Sequence, residues 1–184
     1  MNRNLYNNIN TFKMKFKFLV ITAFFLASIT NAQSSLVGAE SFSVNLPAGY
    51  SRAVGTNDYA TVQWQNEEMH SYGFVIIENL DELKISGVSS DLQSYMDICI
   101  SNYSGFPQFK SFAPKLFKNK KGQENFQKQI SYYNEELEST VYLQFNIFKS
   151  KNFIYQIVNF GNEDFLKVSK ENTDYIINNV VLPQ

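Results

Sequence analysis

Cysteine is almost absent from this sequence. Cys99 is the only one, so the chain can close no internal disulfide and offers no pair of thiolates to a structural metal. Histidine is equally scarce, and a lone His70 excludes a multi-histidine metal centre and leaves any serine with one imidazole to meet. Neither G-x-S-x-G nor S-x-x-K with its companion motifs occurs after residue 32, and G-x-x-x-x-G-K-[ST] does not occur either. No basic stripe interleaved with aromatics is present, and the net charge is −1, which removes nucleic acid as a partner. The longest uncharged apolar stretch is Phe18–Ile29, twelve residues, short of the roughly 20 that a spanning helix needs. Repeats, Pro/Ser/Gly-rich linkers and charge blocks are lacking too, so nothing divides the chain after Gln33.

What is present begins with an export signal. Lys13, Lys15 and Lys17 precede the apolar stretch, and Thr30-Asn31-Ala32 follows it, the pattern of a secretory signal peptide cleaved before Gln33. Met14 is an alternative start that would leave the same signal intact. No cysteine stands at the cleavage point, so lipid anchoring is not expected, nor any stable membrane anchor. The expected organisation is a signal peptide over 1–32 and one globular domain over 33–184. Removing residues 1–32 takes away Arg3 and three lysines but no acid, leaving 12 basic against 17 acidic residues and a net charge of −5.

Periodicity then sets the elements. Phe42–Leu46 alternates with period two and stops at Pro47, Ala60–Gln65 does the same, and Gly73–Glu78 reads as a strand buried on both faces. Spacing by three and four places Leu92, Tyr95, Met96, Cys99, Ile100 and Tyr103 along one stripe of a helix over Ser90–Tyr103, with Ser90 and Gln93 as its capping box. Strands return at Phe112–Phe117, Asn125–Tyr133, Ser139–Lys149 and Phe153–Phe160. A last helix runs from about Glu163 to Asn179, capped by Asn162 and buried through Phe165, Val168, Tyr175 and Ile176. Strands joined by hairpins, with helices inserted among them, specify α+β: an antiparallel β-sheet with the two helices expected on opposite faces, the alternative being both on one face.

The chemically suggestive residues each carry a plainer reading. His70, between Met69 and Ser71 and close to Glu67 and Glu68, is expected in a solvated hairpin turn. Cys99 lies on an apolar stripe, where a buried structural thiol is the simpler account. Glu135, Glu136 and Glu138 form a solvated acidic turn, and Lys118, Lys120, Lys121 and Gly122 a charged hairpin tip. These readings assign no catalytic residue, no cofactor and no metal. The aromatic content is what stands out, with 17 phenylalanines and 11 tyrosines. Tyr132, Tyr133, Tyr142 and Tyr155 fall on neighbouring strands and form the expected binding surface, against the alternative that tyrosine simply lines the rim of a sheet.

The opening Phe42-x-Val44-x-Leu46-Pro47-x-Gly49-Tyr50, the strand Gly73-Phe74-x-Ile76-x-Glu78, the helix ending at Tyr103, the hairpin around Tyr142 and Tyr155 and the closing helix through Tyr175-Ile176 together resemble the PsbP-like superfamily. That superfamily holds the photosystem extrinsic protein, the Ran-binding Mog protein and exported bacterial domains. The resemblance covers the chain after the signal and implies an αβα sandwich that acts by binding other proteins, with no active-site residues to carry over. The expectation is an exported, periplasmic or extracellular, non-enzymatic domain whose partner is another envelope or extracellular protein. The alternatives are a carrier of a small apolar ligand held between sheet and helix, and a hydrolase whose site is not visible in the sequence.

Overall fold

The computed structural model describes residues 34–38, 42–163 and 169–183. The expected signal peptide over 1–32, its cleavage point, and Phe165 and Val168 lie outside the described residues.

The chain order is β1 (Ser34–Val37), β2 (Ser43–Leu46), β3 (Ser51–Arg52), β4 (Val62–Asn66), β5 (Ser71–Asn79), α1 (Leu80–Ile85), α2 (Leu92–Ser101), β6 (Lys110–Ser111), β7 (Lys115–Lys118), β8 (Glu124–Asn134), β9 (Ser139–Lys149), β10 (Phe153–Gly161) and α3 (Lys170–Asn178). The main sheet runs β3-β4-β5-β10-β9-β8-β6, with β7 also on β8, and every pairing is antiparallel. β4–β5, β8–β9 and β9–β10 are hairpins, as connections this short require. β1 and β2 form a separate two-stranded ribbon.

Alternation along the central strands divides the core in two. Phe145, Ile147, Ile154 and Val158 pack with Tyr95, Met96 and Ile100 of α2. Phe148, Tyr155 and Ile157 pack instead with Ile176 and Ile177 of α3 and with Val44 and Leu46 of β2. The two helices therefore cover opposite faces, as the sequence predicts. Each fully buried Ile, Leu or Phe in these layers contributes about 1.5–3 kcal/mol of transfer free energy, which is why the period-two pattern decides the register.

The differences from the sequence reading are local. Of the strand expected over Phe112–Phe117 only the second half forms, as β7; residues 112–114 are not strand, since Pro114 supplies no ladder donor, and β6 lies just before the expected start. α2 is capped by Asp91, whose carboxylate accepts from Ser94 N at 3.0 Å, and not by Ser90. Ser90 instead accepts from Lys149 Nζ, through its carbonyl at 2.9 Å and its hydroxyl at 3.1 Å. α1, β1 and β3 are too short for periodicity to reveal. α3 has Ser169 at its cap position and buries Thr173, Ile176 and Ile177, with Tyr175 only half-buried.

Candidate functional site

Beyond the C-terminal end of α2 the same sheet face opens into a groove of about 530 Å³. Its floor is apolar: Phe74, Val141 and Leu143, all buried, project from β5 and β9. Two aromatic walls rise from it. On one side Tyr72 stacks on Phe160 at 5.5 Å between ring centroids, and Phe74 meets Phe160 edge-on at 6.1 Å. On the other, Tyr103 lies 5.7 Å from Tyr132 and 5.7 Å from Phe145, and Tyr132 stacks on Phe106 at 4.6 Å. Burial raises the pKa of the Tyr103 and Tyr132 phenols, so both stay neutral hydrogen-bonding groups.

Three turns build the mouth, each fixed by a side-chain amide. Asn66 Oδ1 accepts from Met69 N at 3.0 Å and sets the β4–β5 turn that ends at His70, where φ is 47°. Asn134 Oδ1 accepts from Leu137 N at 2.9 Å and holds Leu137 at the rim, 66% exposed. Gln63 Oε1 accepts from both Thr56 N and Asn57 N, pinning the loop before β4 against the groove. A backbone bond, Tyr133 N to Pro107 O at 2.8 Å, ties the segment after α2 to β8 and keeps Phe106 against Tyr132.

Under α2 the groove continues into a smaller pocket of about 330 Å³, with Asn57, Phe74 and Tyr103 lining both. Glu78, Tyr95, Cys99 and Gln156 meet there. The Tyr95 hydroxyl donates to the Glu78 carboxylate, and Cys99 Sγ lies 3.3 Å from Gln156 Oε1. Burial raises the pKa of Glu78. Burial, with the Glu78 charge as a lesser cause, pushes the Cys99 thiol up to about 12, so it stays protonated and unreactive at neutral pH.

The four tyrosines singled out from the sequence do not share a surface. Tyr132 lines the groove, but Tyr133 points to the opposite face because successive strand residues alternate. Tyr142 sits half-buried on that second face. Tyr155 is 0% exposed, packed 5.8 Å from Phe42, and is core rather than surface. His70, expected in a solvated turn, is exposed as such a turn requires yet stands at the groove mouth. Glu135, Glu136 and Glu138 occupy the β8–β9 turn beside it. Lys118, Lys120 and Lys121 lie around the β7–β8 turn at the other end of the strands, where Asn119 Oδ1 accepts from Lys121 N and Gln123 N. Sequence reasoning missed Tyr72, Phe74, Tyr103 and Phe160 as site residues. The available signal was that Tyr72, Phe74 and Phe160 hold the same alternation phase as the α2-side core, which places them in one layer. Among the described residues no group of three or more His, Cys, Asp or Glu is placed to hold a metal, and no helix is long and apolar enough to cross a membrane.

No protein-family model and no curated protein matches the chain. Solved structures do. The cyanobacterial PsbP (CyanoP) of Synechocystis is 14% identical, with 84% of this chain and 94% of that one covered and a TM-score of 0.57. LpqN, involved in cell envelope biogenesis of Mycobacterium tuberculosis, is 11% identical over 88% of this chain and 96% of its own, with a TM-score of 0.55. A point mutant of the protein Mog1 is 13% identical over 82% and 87%, with a TM-score of 0.51. The likeness is one of fold: the chain has the PsbP-like α+β architecture, an antiparallel sheet with helices on its faces.

Proposed function

We propose that this protein is an exported, non-enzymatic binding domain that seats an apolar, aromatic-bearing segment of another envelope or extracellular protein in the groove beyond α2. The observation that carries the reading is the groove itself: an apolar floor, stacked aromatic walls and exposed apolar residues at its edge, namely Leu137 and Phe106. Interfaces that bind protein are built this way, with aromatic residues at the centre and charged ones at the rim. Here the rim charges are Glu67, Glu68, Glu135, Glu136 and Glu138, all exposed. The imidazole of His70 makes no hydrogen bond or ion pair among the described residues, so it lacks the orienting partner a general base needs. Export is supported by the n-region, apolar stretch and small residue of Lys13–Ala32, and by the likeness in fold to LpqN, a protein of cell envelope biogenesis.

The carrier reading fits the volume, which falls within the roughly 300–1,000 Å³ of small-molecule sites. It fits the open mouth less well, because such sites enclose most of their ligand. A photo-crosslinking side chain placed at Leu137, on the rim, and at Leu116, an exposed residue of β7, separates the readings in the protein's own cells. A protein adduct at Leu137 and none at Leu116, joined through an apolar peptide bearing an aromatic residue, is the expected result. A small extra mass on the native protein, with no protein adduct at Leu137, makes the domain a carrier.

A further inference from the structure

We infer that the pocket under α2 is a cation site, which receives a lysine or arginine side chain of the same partner segment that the aromatic groove holds. The inference rests on the binding reading of the groove and deepens it.

Glu78 is the reason. Its carboxylate is half-buried, and the ion pairs among the described residues are Lys128–Asp97 and Lys170–Asp174, so it has no cationic partner among them. One carboxylate oxygen, Oε2, accepts from the Tyr95 hydroxyl, and that is the only hydrogen bond the group makes among the described residues. A carboxylate that loses water on burial is normally compensated by a charge or by several donors, and here one phenol does the whole task. The pocket around it supplies further acceptor and π character. Gln156 Oε1 lies 3.5 Å from the same Tyr95 hydroxyl, and the rings of Phe74, Tyr103 and the 85%-exposed Tyr59 line the cavity. A carboxylate backed by aromatic faces is suited to an alkylammonium or guanidinium group, which gains an ion pair and cation–π contact together.

Continuity fixes where that group comes from. Phe74, Tyr103 and Asn57 border both cavities, so a chain lying in the groove can place its next side chain under α2 without leaving the surface. The exposed acids at the mouth favour the same sign, since they concentrate cations at the entrance. A buried water shell around Glu78 is the rival account, and it predicts no preference for charge.

Two probes of equal apolar body separate the accounts: phenylbutylammonium and phenylbutanol, each titrated into the purified protein with amide and methyl NMR as readout. The ammonium is expected to bind about five- to tenfold more tightly. In Glu78→Gln the preference should fall to within about twofold while the alcohol binds as before, and Glu78→Asp should keep part of it. Tyr59→Leu, at an exposed position with no part in the core, should also reduce the preference. Equal binding of the two probes, or a preference that survives Glu78→Gln in a folded variant, overturns the cation site and leaves the groove reading standing. If neither probe moves the resonances of Tyr72, Phe160 or Tyr132, the groove reading fails and the cation site with it.

Discussion

Gly73 stands in the middle of β5 with the indole of Trp64, its cross-strand neighbour on β4, laid against it. A methyl group at that position would overlap the Nε1 and Cε2 edge of an indole that is itself fully buried. Gly73→Ala should therefore destabilise the fold by about 1–3 kcal/mol, the usual range for overpacking, and shift the urea midpoint accordingly. An unchanged midpoint would mean that the indole has room to move. Glu78 makes the opposite prediction. Its folded pKa lies above the unfolded value because burial disfavours the charge, so the native state holds the proton more tightly. That advantage is present below the unfolded pKa and is lost as pH rises through the folded one. Glutamine keeps the acceptor for Tyr95 and does not titrate, so Glu78→Gln should be more stable than wild type at about pH 7 and lose that lead towards about pH 4. The other titratable groups lining the pocket are Tyr59, Tyr95, Tyr103 and Cys99, and burial raises the pKa of Tyr103 and Cys99, so neither of those two ionises in that window. Urea unfolding at both pH values tests it, and a difference independent of pH would sink the linkage.

Helix α2 shows how much of an element the sequence discloses. Its buried stripe was legible because Tyr95, Met96, Cys99 and Ile100 recur at helical spacing, and burial follows spacing whatever the surroundings. Its cap was not, because Ser90 and Asp91 are adjacent and both are good capping residues. What decides between them is tertiary: Lys149, at the end of β9, engages the carbonyl and hydroxyl of Ser90 and leaves the cap to Asp91. Asp91→Ala should lower the urea midpoint and Ser90→Ala should lower it less, and the reverse order would restore the capping box. The same logic governs the candidate site. Strand phase could have grouped Tyr72, Phe74 and Phe160, and the end of α2 near Tyr103 was legible, but no local pattern reports where over the sheet that end falls and which residues it leaves uncovered. The tyrosine set failed because it ignored phase: Tyr132 and Tyr133 are neighbours in sequence and face opposite cores. A cross-strand ladder of amides was also invisible. Asn146 Oδ1 accepts from Asn125 at 2.9 Å and from Gln127 at 3.0 Å, both buried, which pins the β8–β9 register in a way that hydropathy reads only as polarity.

At the scale of the whole molecule, two cores share one sheet. The cluster under α2 and the cluster under α3 draw alternate residues from the same strands: Ile154 and Val158 of β10 belong to one, Tyr155 and Ile157 to the other. Neither face can lose its packing without releasing the strands that the other face packs on, so the two should melt as one unit. The scarcity of tryptophan and cysteine makes this testable without engineering. Trp64, the single tryptophan, is buried in the α3-side cluster, and Cys99, the single cysteine, is buried in the α2-side cluster. Indole fluorescence and thiol labelling, followed along one urea series, should therefore give the same midpoint. Cys99 labelling that rises at lower urea than the fluorescence change would show that α2 opens on its own. The wall of the aromatic groove formed by Tyr103 would then loosen ahead of the rest of the fold, and a partner bound there should bring the two midpoints back together.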